Sequence, residues 1–199
     1  MKNIAAALSL LAILTLAACA GMPESEGPPT AFRLTSPRMP DNVRLPAKAA
    51  GNFAKNPNCT GQNVSPALAW SNAPDKTRSY AIIWDDQAGR AGLGVSHAVI
   101  YGIPASTNGF AEGVLGTMGG APGGALTGAF VPGKNTLGMH WLGPCSPKGN
   151  APQHYVMTII ATDVEPNALQ PGLTKADLLK ALEGGKALRA ASLSFRFWQ

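Results

Sequence analysis

The sequence predicts a mainly β protein, a β-sandwich with one helix near its carboxyl end. Three observations carry that prediction. The 199 residues include Gly 23 and Pro 17, too many chain breakers for a helical bundle. Apolar residues recur with period two in short runs, and only one segment carries helix start and stop signals. Hydrophobic residues make up 45% and charged residues 14%, so the chain can bury a core instead of remaining disordered. The length suits one such domain.

Each element has its own signature. "SYAIIW", residues 79–84, is an apolar β-favouring run that ends at the turn-like "DDQAG". "HAVIYGI", residues 97–103, is a second strand, with His97, Val99, Tyr101 and Ile103 on one face by simple alternation. Residues 113–133 are glycine-rich and aperiodic, a surface loop or a mobile border to a site. They lack the Lys-Ser/Thr ending of a P-loop. "YVMTIIATD", residues 155–163, is apolar on both faces and so belongs in the middle of a two-layer arrangement. "LTKADLLKALEGG" is the helix. Thr174 is its N-cap, Asp177 completes a capping box, and Leu173 is placed to staple onto Leu178. Leu178, Leu179 and Leu182 form an apolar face, and Gly184-Gly185 ends it. "ASLSFRFW" alternates Leu193, Phe195 and Phe197 against Ser194 and Arg196 as a terminal strand.

The amino terminus reads as an address. Lys2 precedes an apolar run of signal-peptide length, too short for a membrane span and followed by no basic stop-transfer cluster. "LAAC", residues 16–19, resembles the lipobox of bacterial lipoproteins, which implies removal of residues 1–18 and lipid on Cys19. Ala20 in the next position resembles the pattern sorted to an outer membrane, facing the periplasm, where the envelope has two membranes. Ordinary secretion is the alternative. Residues 19–31 then form a Pro/Gly/Glu tether, and residues 32–199 the folded domain.

Cys59 and Cys145 are the remaining cysteines, and in an exported chain two thiols suggest a disulfide. Two free buried thiols are the alternative. Zinc is disfavoured because Cys145 and His154 lack a second close ligand pair. The net charge of +5 comes from scattered basic residues, not from one basic arm, which argues against nucleic acid as a partner. "GVSHA" nearly forms a nucleophile elbow, but Ala98 replaces its second glycine and a strand follows in place of a helix. No catalytic residue, cofactor or metal is expected, and the chain is not read as an enzyme.

Four segments in order resemble the phosphatidylethanolamine-binding proteins, and most closely their bacterial Raf-kinase-inhibitor-like branch. "CTGQNVSPALAW" resembles C-x-G-x-N-x-S-P-x-L-x-W, and "DDQAG" with "HAVIYGIP" resembles D-P-D-A-P … H-W-V-V-x-N-I-P. "GKNTLGMHWLGPCSPKG" resembles G-x-N-x-x-G-x-x-Y-x-G-P-x-P-P-x-G, and "QHYVMTIIATD" the H-R-Y-x-F-x-x-x-A-L-D that follows. The resemblance implies a Greek-key antiparallel β-sandwich with a short helix near its C-terminus. It also implies a small pocket at one end for phosphate or phosphoryl head groups.

Matched position by position, the motifs imply a ligand-binding set of Asp85, Gln87, His97, Gly143, Pro144, Gln153 and Tyr155. Gly143 and Pro144 form its backbone wall. Gln87 and Gln153 stand where the family has aspartate and histidine, and Ala98 stands where it has tryptophan. Asp86 falls on the family's proline and receives no role, and His140 and His154 default to surface or rim. The family fold also brings the Cys59 and Cys145 loops together near the pocket, which implies a bridge between them. The expected partners are a small anionic ligand, a membrane through Cys19, and an unidentified protein. The alternative function is a non-catalytic envelope scaffold whose pocket is vestigial; a hydrolase ranks below both.

Overall fold

The structure is a computed structural model and describes residues 30–117 and 130–199. Residues 1–18, read as a signal peptide, Cys19, all but the end of the expected tether and residues 118–129 of the glycine-rich segment lie outside the described residues. The strands are β1 (Arg33–Thr35), β2 (Val43–Arg44), β3 (Leu68–Ser71), β4 (Ser79–Asp86), β5 (Val95–Pro104), β6 (Gly109–Phe110), β7 (Val131–Pro132), β8 (Gln153–Thr162) and β9 (Ala187–Phe197). They form a three-stranded sheet, β1-β3-β6, and a six-stranded sheet, β2-β9-β8-β4-β5-β7. Within the larger sheet β8 returns to lie beside β4, giving the order β8-β4-β5-β7 of a Greek key. The pairing is antiparallel except for two residues of β2 against β9.

The core lies between the sheets because one pleat face of each long strand is apolar. Tyr80, Ile82 and Trp84 of β4, Met157 and Ile159 of β8, and Leu193 and Phe195 of β9 pack with Leu34, Leu68 and Trp70 of the smaller sheet. The opposite face of the large sheet is buried as well. There Ala81, Ile83, Val99, Tyr101 and Ile160 lie under Leu178 and Leu182. Covering on both faces is why β4 and β8 read as continuous apolar runs. Each buried aliphatic or aromatic side chain contributes about 1.5–3 kcal/mol.

The helix spans Lys175–Ala181, and its capping box is formed as expected. The Thr174 hydroxyl accepts from the Asp177 amide at 3.2 Å, and the Thr174 amide donates to Asp177 Oδ2 at 3.3 Å. Leu173 packs with Leu178 in the cluster beneath the helix. Leu179, expected on the buried face, is exposed instead. A helix this short leans only one ridge on the sheet, and Leu178 and Leu182 fill it. In the described part of the glycine-rich segment, residues 115–117 form a 3-10 turn with Leu115 buried. The Ser65 hydroxyl holds that turn by accepting from the Leu115 and Gly116 amides.

The simple alternation expected along β5 fails at both ends. The β4–β5 register slips between Tyr80 and Ile82, and again between Trp84 and Asp85. Each slip inserts one extra β5 residue, as in a β-bulge. Val99 and Tyr101 therefore face the helix, while Ile100 and Ile103 face the inter-sheet core. Gly102 occupies one slip with φ 64°, and a Cβ there would sit 2.3 Å from the Pro166 carbonyl oxygen. His97 is the extra residue at the other slip, between Ala98 and Ser96. The bulge turns its side chain away from Val99 and toward Tyr155, whose ring centroid lies 5.1 Å from its own.

Candidate functional site

A cavity of about 300 Å³ opens at the end of the sandwich where β4 finishes and β8 begins. Asp86, His97, Gln153 and Tyr155 are its buried polar groups, Asn56, Arg90 and Thr136 add further polar lining, and Phe53, Val95, Leu137, Leu142 and Pro147 contribute apolar wall. The sheet supplies the polar set through register. Asp86 lies directly across from Tyr155, and Gln153 shares the Tyr155 pleat face one step nearer the strand start.

The expected residues divide into three groups. His97, Gln153 and Tyr155 line the cavity. Gly143 and Pro144 do not line it and stand one layer behind. The Gly143 amide donates to Asn63 Oδ1 at 2.8 Å, and the Pro144 carbonyl accepts from the Gly51 amide at 2.8 Å. A Cβ on Gly143 would lie 2.1 Å from the Ala49 carbonyl oxygen, so the close approach of these two loops requires glycine here.

Asp85 and Gln87 form the third group and are not brought to the cavity. Gln87 is exposed, and Asp85 points to the helix face, where it pairs with Lys175 beside an open groove. The pleat explains the correction. Trp84 faces the inter-sheet core, so Asp86 shares its face and Asp85 takes the opposite one. Matching the motif letter by letter placed the aspartate one residue early. Ala81 and Ile83 are as apolar as Ile82, so the sequence run itself selects neither parity, and the packing of Trp84 in the inter-sheet core selects Asp86.

Asp86 is 3% exposed, and its Oδ1 accepts from the Ala88 amide at 2.9 Å. Burial raises its pKa above the usual carboxylate range, opposed by backbone hydrogen bonds from Ala88 and Gly89. His97 is also 3% exposed, and burial lowers its pKa to about 4. Its Nδ1 lies 2.9 Å from the Leu142 carbonyl oxygen. A carbonyl only accepts, so Nδ1 carries the proton of the neutral ring and Nε2 keeps a lone pair.

The Tyr155 hydroxyl donates to Gln153 Oε1 at 3.3 Å and lies 3.0 Å from the Ser146 hydroxyl. Burial pushes the Tyr155 phenol well above its ordinary pKa, and the Asp86 charge adds to the rise. The phenol is therefore a permanent donor.

The loops around this set are fastened independently of any ligand. Cys59 and Cys145 form a disulfide with Cα atoms 4.5 Å apart, and both line the cavity. Asn63, at φ 60°, donates to the Trp141 and Gly116 carbonyls while accepting from Gly143. Asn135 donates to the His97 carbonyl at 2.7 Å, which pins the 134–142 loop beside the bulge. The sequence reading gave no role to Asn63, Asn135 or Ser146. Asn63 carried a signal as the asparagine of the quoted loop motif.

The sequence and the fold both match known proteins. A family model described as phosphatidylethanolamine-binding protein matches residues 35–198. The chain belongs to that family. Among curated members, a UPF0098 protein of Methanothermobacter thermautotrophicus is 36% identical over 126 residues, covering 63% of this chain and 78% of that protein. The crystal structure of Escherichia coli YbcL, described as a new member of the mammalian PEBP family, superposes with a TM-score of 0.72 at 25% identity. That match covers 84% of this chain and 98% of YbcL. Lipoprotein LppC of Mycobacterium tuberculosis is 32% identical over 152 residues, covering 75% of this chain and 64% of LppC. No helix among the described residues is long and apolar enough to cross a membrane.

Proposed function

We propose that this chain is an envelope lipoprotein that holds a small oxyanion, phosphate or a phosphomonoester head group, in the cavity at the end of β4. One observation carries the reading: Asp86, His97, Gln153 and Tyr155 converge in a single cavity whose other walls are largely apolar. Tyr155 and the Gln153 amide can donate to an oxyanion, and Arg90 stands on the lining. The Asp86 carboxylate and the His97 Nε2 lone pair accept. A bound oxyanion must therefore bring a proton or draw one onto these two groups. With one carboxylate opposing the charge, the expected affinity is about millimolar, near −4 kcal/mol.

Binding that favours protonated His97 or Asp86 raises their pKa values in the complex. Affinity then rises as pH falls toward the free-protein value of about 4 for His97. Phosphate and phosphoethanolamine titrations by calorimetry or NMR, at pH 7 and 5.5, test this on wild type and His97→Ala. The wild type should bind more tightly at pH 5.5, and the variant should lose both affinity and pH dependence. Equal binding by the two proteins would place the anion elsewhere.

The lipid anchor rests on the "LAAC" sequence and on the likeness to LppC. Ser96 lies inside β5, not on a strand-to-helix turn, which supports binding over hydrolysis. The buried Asp86 carboxylate favours one second reading, a scaffold with a vestigial pocket that modulates a partner protein. Absence of phosphate binding by the wild type would select it.

A further inference from the structure

Asp85 and Gln87, absent from the cavity, share a second space on the helix side of the large sheet. There a groove of about 250 Å³ is lined by Asp85, Gln87, Leu93, Val95, Ser96 and Lys175. The sheet register builds its floor. Asp85 lies directly across from Ser96 in the β4–β5 pairing, so both side chains leave the same face. Lys175 reaches them from the first position of the helix and pairs with Asp85.

Three features of this groove serve no purpose in the fold. The Ser96 Oγ atom is buried and has no hydrogen-bond partner among the described residues. Such a hydroxyl is unfavourable where it stands, and one staggered rotation about χ1 offers it another neighbour. Leu93 is 80% exposed at the groove edge, held out between Gly92 and Gly94, both at positive φ. The Asp85–Lys175 pair is partly exposed, and a pair of that kind stabilises a fold little.

We infer that this groove binds a neutral pyranose sugar. Asp85 and Lys175 compensate each other, so a simple ion gains nothing from the pair as a whole. A strong acceptor beside a strong donor matches vicinal hydroxyls, each of which both donates and accepts. The exposed Gln87 amide adds donors and an acceptor, and Ser96 gains a partner by turning toward the ring. The C–H face of the ring covers Leu93 and Val95 and takes their apolar surface out of water. A volume below that of drug-sized sites suits one or two rings. A zwitterionic amino acid would have to part the Asp85–Lys175 pair to reach both charges, whereas hydroxyls bind its outer edge intact. The inference is independent of anion binding in the cavity, because Asp85 and Asp86 leave opposite faces of the sheet.

The test uses the chain from residue 19 carrying Cys19→Ser. Glucose, galactose, N-acetylglucosamine and its β-1,4-linked dimer are titrated with NMR detection of backbone amides. Sugar hydroxyls exchange water for protein with little net gain, so a Kd of about 1–10 mM is expected for at least one of them. The amides of Asp85, Gln87, Ser96 and Lys175 should move, and those of Gln153 and Tyr155 should not. Tighter binding of the dimer assigns the site to a glycan, and tighter binding of a monosaccharide assigns it to a free sugar. Asp85→Asn and Lys175→Ala should each weaken binding at least tenfold, the loss of one hydrogen bond to a charged group. His97→Ala should bind the sugar as wild type does, which separates this site from the cavity.

The wild-type shift map decides the matter even if a variant misfolds. No shift with any of the four sugars up to about 100 mM would overturn the inference. So would shifts confined to the cavity, or undiminished binding by either variant. Shifts with glycine or serine and none with sugars would overturn it in favour of a zwitterion site.

Discussion

His97 should make this protein markedly acid-sensitive through one side chain. The imidazole is 3% exposed, and burial holds its pKa near 4 against 6.5 for an unperturbed ring. In the unfolded chain the ring takes a proton near pH 6.5, but in the folded chain only near pH 4. Between those values the unfolded state binds the extra proton, so stability falls as pH falls. At about 1.4 kcal/mol per unit, the loss due to His97 reaches about 3 kcal/mol by pH 4.

Asp86, with its raised pKa, works in the opposite sense and regains stability as it protonates. His97→Phe removes the imidazole contribution while leaving Asp86 and the other carboxylates to titrate. Urea unfolding of both proteins at pH 7, 6, 5 and 4.5 gives the comparison. The wild type should lose about 2.4 kcal/mol more than the variant across that range. Parallel profiles would refute the reasoning, because they would mean that the buried ring protonates as readily as a free one.

Further outcomes follow from the bridge, the cavity and the lipobox-like sequence. Removing the bridge with Cys59→Ser and Cys145→Ser frees residues 86 apart in sequence; the entropic model gives a loss of about 4.5 kcal/mol in urea unfolding. Thiol titration of the denatured, unreduced chain carrying Cys19→Ser should find none. Asp86→Asn should strengthen phosphate binding by calorimetry, since it removes the opposing charge, while Lys175→Ala should leave it unchanged and cost under about 1 kcal/mol, because its pair with Asp85 is partly exposed. Intact-mass analysis of the membrane fraction should show loss of residues 1–18 with added acyl mass on Cys19; a soluble product cut elsewhere would reject the lipobox.

The sequence by itself determined the layered β fold and the capped helix, and it suggested the bridge between Cys59 and Cys145 that the structure forms. The signals were the continuous apolar run of β8, the alternation along β9, the Thr174–Asp177 capping box, and two cysteines left over in a chain read as exported. The family resemblance of its motifs also grouped His97, Gln153 and Tyr155, which line one cavity. Two further placements were decided only by the tertiary structure. Asp86 takes the cavity position expected of Asp85 because a pleat reverses direction at every residue, and the core packing of Trp84 fixes which parity faces inward. His97 reaches the cavity through an extra residue in β5 relative to β4. A bulge is a relation between two strands, so no periodicity within "HAVIYGI" could reveal it.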